Sequence, residues 1–417
     1  MKSDITRRDM MRLSAAGIVG TVLPKELSRK PQQVSKPKIK EFRTLGRTGI
    51  RVSDVGLGAG VPQDASLVNY VLNMGVNYID TAERYSGGQS EKSIGLAIKG
   101  RPRKDIYITT KLAVNQNDTT RSLIDRFNGC LERLQTDYAD ILMMHNPVDA
   151  EALKHSGFHS AVSQLKADGK LRFSGASTHN PNAPLVCGSA IDDGRFDALL
   201  MVYNFMQEKM TDILAFANEK NVGVTIMKVH ASEHPEQLGQ LSREVVKKLQ
   251  DEADQGTLDF QKKHDLTEKA YFSAAMRWVL QNKNVATCAM SIRNTDMADD
   301  YVANSGKPFK SSQKETLRIY SGLKNDTYCR HACGECESTC PYGVAVNDVL
   351  RMDTYFTNYR QEKMALTEYA RLTDRRKPLY CETCSGGCES KCPFGLSVRN
   401  RLIAAHERLT LTTDNTI

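Results

Sequence analysis

The chain has 417 residues, of which 40% are hydrophobic, and its 57 basic and 49 acidic side chains give a net charge of +8. This length predicts two or three domains, and the hydrophobic content allows a large buried core. Residues 1–24 contribute +2 and residues 25–40 contribute +5, which leaves +1 for the rest. The folded part is therefore near neutral, and its charge gives no reason to expect a nucleic-acid partner.

The N-terminus carries an arginine pair, Arg7 and Arg8, followed by a short apolar stretch over residues 13–23. This pattern over residues 1–24 resembles a twin-arginine export signal, and the stretch is too short for an ordinary transmembrane span. We therefore expect export to the periplasm or to the outer face of the cytoplasmic membrane, with membrane contact only if the segment stays uncleaved. The alternative is a disordered basic tail. The lysine-rich residues 25–40 are predicted to be a linker.

Between residues 41 and 323, eight strand-like apolar segments alternate with helical patterns such as 66–74, 90–99, 119–134 and 210–221. The predicted strands span 52–57, 76–80, 106–111, 138–145, 171–177, 196–204, 222–229 and 285–291. This alternation predicts an α/β fold, the (β/α)₈ TIM barrel, in which chemistry gathers at the carboxyl ends of the strands. A charged, helix-like stretch at 242–254 lies within a long loop before the last strand.

Four polar residues lie at or just after the ends of neighbouring predicted strands: Asp80, Tyr85, Lys111 and His145. Together they predict a proton-transfer site. A lysine cation lowers the pKa of a nearby tyrosine, and a buried aspartate holds that lysine charged. A histidine at the same mouth can hydrogen-bond a substrate carbonyl. The alternative is that each is an ordinary polar residue at a strand end.

These residues belong to a set of motifs that resembles the aldo-keto reductase family over about residues 42–306. The set comprises Leu45-Gly46-Arg47-Thr48-Gly49, Asp80-Thr81-Ala82 with Tyr85, Gly87-Gly88, Ser90-Glu91, Gly95, Lys111, His145, Gly175-x-Ser177, Tyr203-Asn204, Met227-Lys228 and Arg293. The resemblance implies an oxidoreductase that transfers hydride between a nicotinamide and a small carbonyl or alcohol substrate. It makes Tyr85 the general acid/base, assisted by Lys111 and Asp80, and it makes His145 the residue that orients the carbonyl.

The same resemblance assigns residues to the cofactor. Ser177 would bind the carboxamide and Tyr203 would stack on the nicotinamide, while the phosphates and the adenosine would meet Lys228, Ser291, Arg293 and Asp300. Arg293 favours NADP over NAD, because a guanidinium grips a phosphate with paired donors. The sequence departs from the family pattern at Thr178, Leu200 and Tyr301, so its cofactor shell is altered while the four catalytic positions are intact.

The tail from residue 324 to 417 contains two near-copies of a cysteine motif, offset by 52 residues, and each ends in Cys-Pro. Their cysteines are Cys329, Cys333, Cys336 and Cys340, then Cys381, Cys384, Cys388 and Cys392. This spacing resembles that of bacterial ferredoxins and predicts two [4Fe-4S] clusters, with the fourth cysteine of each motif on the other cluster. Zinc and disulfides are the alternatives. His331 lies inside the first motif, as a polar neighbour or an additional ligand.

The tail is therefore predicted to be a small, mainly helical ferredoxin-like domain, with helices at 346–372 and 398–409. Aldo-keto reductases with such a module form a known subgroup, which implies that electrons pass between the clusters and the nicotinamide, with a redox partner protein beyond. Since free NADPH is scarce outside the cytoplasm, we expect a tightly retained cofactor. Two alternatives stay open: an electron carrier with a non-catalytic barrel, and a plain reductase with a structural zinc tail.

Overall fold

The computed structural model describes residues 36–60, 64–231, 268–324 and 327–410. From Pro37 onward the chain forms one compact unit. The predicted export signal at 1–24, most of the predicted linker and the helix-like stretch at 242–254 lie outside the described residues. Within those ranges, no helix is both long and apolar enough to cross a membrane.

Eight parallel strands close into a barrel in which neighbours follow one another in chain order and the last pairs with the first. They are β3 (Val55–Gly58), β4 (Tyr78–Asp80), β5 (Tyr107–Leu112), β6 (Ala139–His145), β7 (Leu171–Thr178), β8 (Ala198–Val202), β9 (Gly223–Met227) and β10 (Thr287–Met290). The predicted α/β barrel is thus confirmed. The strands are buried along nearly their whole length, as expected when helices cover the sheet from outside.

The predicted first strand, 52–57, is two strands. Its first half forms β2 (Arg51–Ser53), which pairs antiparallel with β1 (Phe42–Thr44) in a hairpin, and its second half begins the barrel as β3. Asp54 separates them, and its buried carboxylate accepts hydrogen bonds from Ser305 Oγ at 2.7 Å and from Gly306 N at 2.9 Å. The apolar pattern is continuous across this residue, so the sequence did not show the break.

Nine helices of the barrel region are described, and those between the strands pack on the outside of the sheet. They are α1 (Ala65–Asn73), α2 (Gln89–Ile98), α3 (Thr120–Leu134), α4 (Ser156–Ala167), α5 (Ala183–Asp193), α6 (Thr211–Glu219), α7 (Glu268–Leu280), α8 (Thr295–Val302) and α9 (Ser311–Lys324). The helix α2 approaches α3 so closely that a Cβ on Gly95 would lie 2.7 Å from the Arg133 carbonyl oxygen. This contact explains why the motif has a glycine there.

The tail contains α10 (Val346–Thr357), α11 (Glu362–Ala370), the single turn α12 (Gly387–Ser390) and α13 (Val398–Leu409) around a small core of its own. The prediction of one helix over 346–372 was wrong. The chain breaks between α10 and α11, where Arg360 has a φ of +50°. The helix predicted at 398–409 is confirmed, and α10 and α13 are offset by 52 residues at both ends, as the cysteine motifs are.

Candidate active site

A cavity of about 450 Å³ opens at the carboxyl ends of the barrel strands. Asp80, Tyr85 and His145 line its wall, and Lys111 lies buried directly behind them. Asp80 is the last residue of β4 and His145 is the last residue of β6, while Lys111 lies on β5 between them. The barrel therefore brings together the four residues predicted to transfer a proton.

Lys111 is the centre of this group. Its Nζ donates hydrogen bonds to Asp80 Oδ1 at 2.7 Å, to the Thr81 carbonyl oxygen at 2.7 Å and to Tyr85 Oη at 3.2 Å. Its three ammonium protons are thereby used, and the side chain is fully buried. The ammonium thus has one orientation, aimed at the tyrosine oxygen, and the His145 ring meets the Tyr85 ring edge-on at 5.8 Å.

Burial sets the protonation states of the site. Burial raises the pKa of Tyr85, and the nearby Lys111 ammonium offsets this rise only in part. The sequence predicted that lysine would lower this pKa; the effect is present, but desolvation is larger. Burial alone would lower the pKa of Lys111, yet the Asp80 carboxylate keeps it above its usual value. Burial, reinforced by Lys111, lowers the pKa of His145 to about 3. At neutral pH the phenol is therefore protonated and the imidazole is neutral.

The neighbouring motif residues hold the loop that carries Tyr85. Glu91 is buried on α2 and accepts hydrogen bonds from Thr110 Oγ1 at 2.6 Å and from Arg133 Nε at 2.7 Å. Ser90 Oγ donates to the Ala59 carbonyl oxygen at 2.8 Å. These buried bonds tie α2 to β5 and α3 and to the segment after β3, so the loop before α2 starts from a fixed point.

Of the six residues assigned to a cofactor, three line the cavity, two are buried at the ends of strands and one lies on the outer helix α8. Lys228, Ser291 and Arg293 line the cavity. Ser177 and Tyr203 are buried, and the Tyr203 ring packs 4.9 Å from Trp278. Asp300 forms an ion pair with Lys269. The structure thus brings three of the six to the mouth of the barrel.

The tail covers this mouth, which the sequence did not predict. Lys228 Nζ donates to Tyr355 Oη at 3.0 Å, and Arg293 Nη2 donates to the Tyr359 carbonyl oxygen at 2.6 Å. Gln361 Nε2 reaches the Gly60 carbonyl oxygen at 3.3 Å. The chain therefore turns across the barrel at the break after α10. Tyr355 at the end of α10 and Tyr359 in the break contact two of the residues assigned to the cofactor.

The helix α10 also supplies side chains to the cavity wall. Arg351 and Tyr355, one turn apart, both line it, and His179 lines it from the loop after β7. The apolar spacing of α10 was interpreted as simple packing, which accounts for Val349 and Leu350 but not for this face. A comparison of the two copies could have revealed this face, because the second copy has Ile403 and Glu407 where the first has Arg351 and Tyr355.

Tyr355 lies between two cations. Its ring is 4.4 Å from Lys228 Nζ and 5.5 Å from the Arg351 guanidinium carbon. Burial acts to raise the pKa of Tyr355, but the two cations outweigh it and lower the pKa to about 8. The cavity therefore contains two tyrosines with opposite shifts, Tyr85 upward and Tyr355 downward.

Six of the eight tail cysteines lie in or against its core, all except Cys333 and Cys384, and none of the eight forms a disulfide. Burial raises the pKa of Cys329, and so do the neighbouring thiols of Cys333, Cys336 and Cys392. Burial likewise raises the pKa of Cys381 to about 11, and Cys340, Cys388 and Cys384 add to the rise. The fourth cysteine of each motif thus lies near the first cysteines of the other motif.

Two further observations concern metal binding and the remaining cysteines. Over the described ranges, no three Cys, His, Asp or Glu side chains lie close enough to ligate one shared metal ion. Outside the tail, Cys130, Cys187 and Cys288 are buried in the barrel core.

His331 lies at the contact between barrel and tail. It is buried, its carbonyl oxygen accepts a hydrogen bond from Gln207 Nε2 at 3.2 Å, and its ring centre is 6.5 Å from that of Tyr355. Close by, Gly334 meets Pro181 so tightly that a Cβ would lie 2.5 Å from the proline Cβ. The first cysteine motif therefore packs directly on the barrel.

The position of Tyr355 generates a prediction. One tyrosine should ionise at about pH 8, because two cations stabilise its phenolate, and ultraviolet difference absorbance of tyrosinate measures this step. Tyr355→Phe should remove the step and Lys228→Met should move it to higher pH. Tyr359→Phe, which removes the neighbouring phenol, is the control and should leave it in place. A step that persists in Tyr355→Phe would contradict the assignment.

A model of the Aldo/keto reductase family matches residues 61–320 of the chain. L-galactose dehydrogenase from Arabidopsis thaliana is 32% identical over 206 residues, which are 44% of this chain and 63% of that protein. Aldo-keto reductase YhdN from Bacillus subtilis is 29% identical over 156 residues, which are 33% and 46%. The matched part of the chain spans less than two thirds of the length of these curated relatives.

Among solved structures, the holo form of aldo-keto reductase AKR11C1 from Bacillus halodurans has a TM-score of 0.52 and 23% identity. The match covers 67% of this chain and 95% of that one, which supports the same barrel fold. The family match ends at residue 320, before the first cysteine of the tail. Since it includes more than half of the residues and the strand ends that carry the site, the chain belongs to the aldo/keto reductase family.

Proposed function

We propose that the barrel catalyses hydride transfer between a nicotinamide cofactor, NADP, and a small carbonyl or alcohol substrate. The observation that carries this proposal is the position of Lys111 Nζ, which is 2.7 Å from Asp80 Oδ1 and 3.2 Å from Tyr85 Oη at the base of the cavity. This arrangement gives a tyrosine the means to release and recover a proton at the wall of the cavity.

In the direction of reduction, a bound nicotinamide would supply the hydride to the carbonyl carbon. Tyr85 is protonated at neutral pH and donates its phenolic proton to the carbonyl oxygen, which completes the alcohol. Lys111 stabilises the phenolate that remains, and Asp80 keeps Lys111 charged and oriented. His145 is neutral, so a ring N–H can hold the substrate oxygen without competing for the proton. Oxidation of an alcohol uses the same groups in reverse.

The cavity wall fits part of a nicotinamide cofactor. Lys228 and Arg293 are cations of the kind that bind phosphates, and Ser291 lies beside them in the wall. Both cations already bond to the tail, at Tyr355 and Tyr359. A cofactor that reached them would have to displace these contacts, so entry and release would both require the tail to move, which supports slow exchange of the cofactor.

We further propose that the tail holds two [4Fe-4S] clusters and passes electrons to or from the barrel. Support comes from the donor set, eight thiols of which six lie in or against one small core, and from the grouping of Cys392 with the first motif and Cys340 with the second. Such a cluster spreads four thiolates over four irons, so the proposal does not need them to converge on one ion.

The contact between the tail and the barrel supports a functional link between the two. The first cysteine motif reaches the cavity through His331 and Tyr355, whose ring centres are 6.5 Å apart. Neither alternative, a barrel without catalytic function or a tail that binds structural zinc, explains why the first cysteine motif contacts the catalytic cavity. A redox partner protein would then bind nearer the second motif.

Export by the twin-arginine pathway, to the periplasm or the outer face of the membrane, completes the proposal. Clusters and a retained nicotinamide would suit a protein that folds around its cofactors before it leaves the cytoplasm. The arginine pair at Arg7 and Arg8 supports this localisation.

The catalytic role of Tyr85 can be tested directly. Tyr85→Phe should lower carbonyl reduction by about 10²- to 10⁴-fold because it removes the proton donor. Tyr138→Phe is the control, since Tyr138 lies at the opposite end of the barrel, just before β6. The wild-type rate of the chemical step should stay flat through the neutral range, because the pKa of His145 is about 3 and that of Tyr85 is raised. Full activity in Tyr85→Phe would contradict the role of Tyr85, and a wild type that reduces no carbonyl would favour the non-catalytic alternative.

The ligands of the clusters can be tested by iron and sulfide analysis with electron paramagnetic resonance. Wild-type protein should contain about eight irons per chain. Cys329→Ser and Cys392→Ser should each remove the same cluster, so the double variant should lose no more iron than either single variant. Cys392→Ser combined with Cys381→Ser should remove both clusters, and Cys187→Ser in the barrel core should remove neither. Zinc in place of iron would support the structural-tail alternative.

A further inference from the structure

We propose that the substrate carries a carboxylate beside its reacting carbonyl or hydroxyl group, and that Arg351 of the tail binds this carboxylate. The substrate class would then be 2-oxo or 2-hydroxy acids and similar sugar acids. This inference rests on the proposed function of the barrel and assigns a substrate-binding role to a residue outside it.

Arg351 is a buried cation, and one of its N–H groups has no hydrogen-bond partner among the described residues. Its side chain is 7% exposed and lines the cavity. Nη2 donates to Asp348 Oδ1 at 2.7 Å, but Nε has no hydrogen-bond partner among the described residues. A buried guanidinium N–H without a partner is unfavourable unless a ligand or water accepts from it. The planar fork of arginine matches the two oxygens of a carboxylate.

The charges of the cavity wall favour an anion. Its charged side chains are Asp80, Arg84, Lys228, Arg293, Arg351 and Glu368. Asp80 is neutralised by Lys111 behind it, at 2.7 Å. Glu368 pairs with Arg371, and among the four cations Arg351 pairs with Asp348 and Arg84 lies 3.9 Å from Glu83. The wall itself still carries more cations than carboxylates, in a site where low dielectric strengthens their attraction for a bound anion.

Arg351 lines the same cavity as His145, the residue that would orient the reacting carbonyl. The guanidinium groups of Arg84 and Arg351 also help to lower the pKa of His145, after the larger effects of burial and Lys111. Tyr355, one turn further along α10, lies between Arg351 and Lys228. A carboxylate held by Arg351 would thus lie in the same cavity as the carbonyl that His145 orients, which suits a compact substrate such as a 2-oxo acid.

The test uses two small aldehydes of similar size, glyoxylate, which is anionic, and glycolaldehyde, which is neutral. Arg351→Gln should lower kcat/KM for glyoxylate relative to glycolaldehyde by about 10- to 100-fold, the usual effect of losing a charge-assisted bond. Arg351→Lys keeps the charge without the fork and should fall between. Oxalate, which does not react, should bind the wild type by calorimetry and bind Arg351→Gln at least about tenfold more weakly.

Two variants separate substrate binding from a structural role. Arg376→Gln is the matched control: Arg376 Nη2 is 3.9 Å from the same Asp348, but the side chain is outside the cavity wall. It should leave the ratio of the two aldehydes unchanged. Asp348→Asn should preserve or raise the preference for glyoxylate, because it removes a competing carboxylate. A loss in Asp348→Asn equal to that in Arg351→Gln would overturn the inference.

The remaining outcomes show whether Arg351 binds the substrate, a cofactor phosphate or no anion. A weaker apparent affinity for NADPH in Arg351→Gln, with an unchanged ratio of the aldehydes, would assign Arg351 to a cofactor phosphate and overturn the inference. If the wild type reduced neither aldehyde, the proposed function would fail, and the calorimetry would still decide the anion site. Equal oxalate binding by wild type and Arg351→Gln would then refute it.

Discussion

The packing of α10 across the mouth of the barrel joins the barrel to the tail and forms part of the wall of the cavity. Lys228 Nζ lies 3.0 Å from Tyr355 Oη, and Arg293 Nη2 lies 2.6 Å from the Tyr359 carbonyl oxygen. Lys228 has a φ of +59°, an unfavourable backbone conformation, and Asn204 Nδ2 bonds to its carbonyl oxygen at 2.9 Å. Such a conformation persists where surrounding contacts impose it, as is common at functional sites. The barrel and the tail therefore share one cavity.

The duplication in the tail has led to two helices with different tasks. In both copies the Cys-Pro turn continues into a helix, and the acidic side chain before that turn accepts from a backbone N–H at the helix start, Glu337 from Asn347 and Glu389 from Arg399. The second helix, α13, packs within the tail. The first, α10, keeps that packing on one face and directs Arg351 and Tyr355 into the barrel on the other.

The sequence predicted the barrel and the four residues at its strand ends because both follow local patterns: apolar strands of regular spacing and short motifs with fixed polar positions. It did not predict the break at Arg360 or the cavity face of α10. Those depend on contacts between parts of the chain more than a hundred residues apart, such as Lys228 with Tyr355. The sequence also could not predict the direction in which the pKa of Tyr85 shifts, because that direction depends on how far the fold buries the phenol.

We propose that the barrel and the clusters act as one unit, and this can be tested by following electron transfer between them. The clusters would be reduced chemically in the absence of oxygen, excess reductant removed, and a carbonyl substrate added while the visible absorbance is followed. We expect two cluster electrons and one proton to be used to reduce the retained nicotinamide, which passes hydride to the carbonyl while Tyr85 donates the second proton, so the clusters should be reoxidised at two electrons per alcohol formed. Tyr85→Phe, with its clusters intact, should slow reoxidation and alcohol formation together. Clusters that stay reduced while the same protein reduces the carbonyl with added NADPH would contradict the proposal.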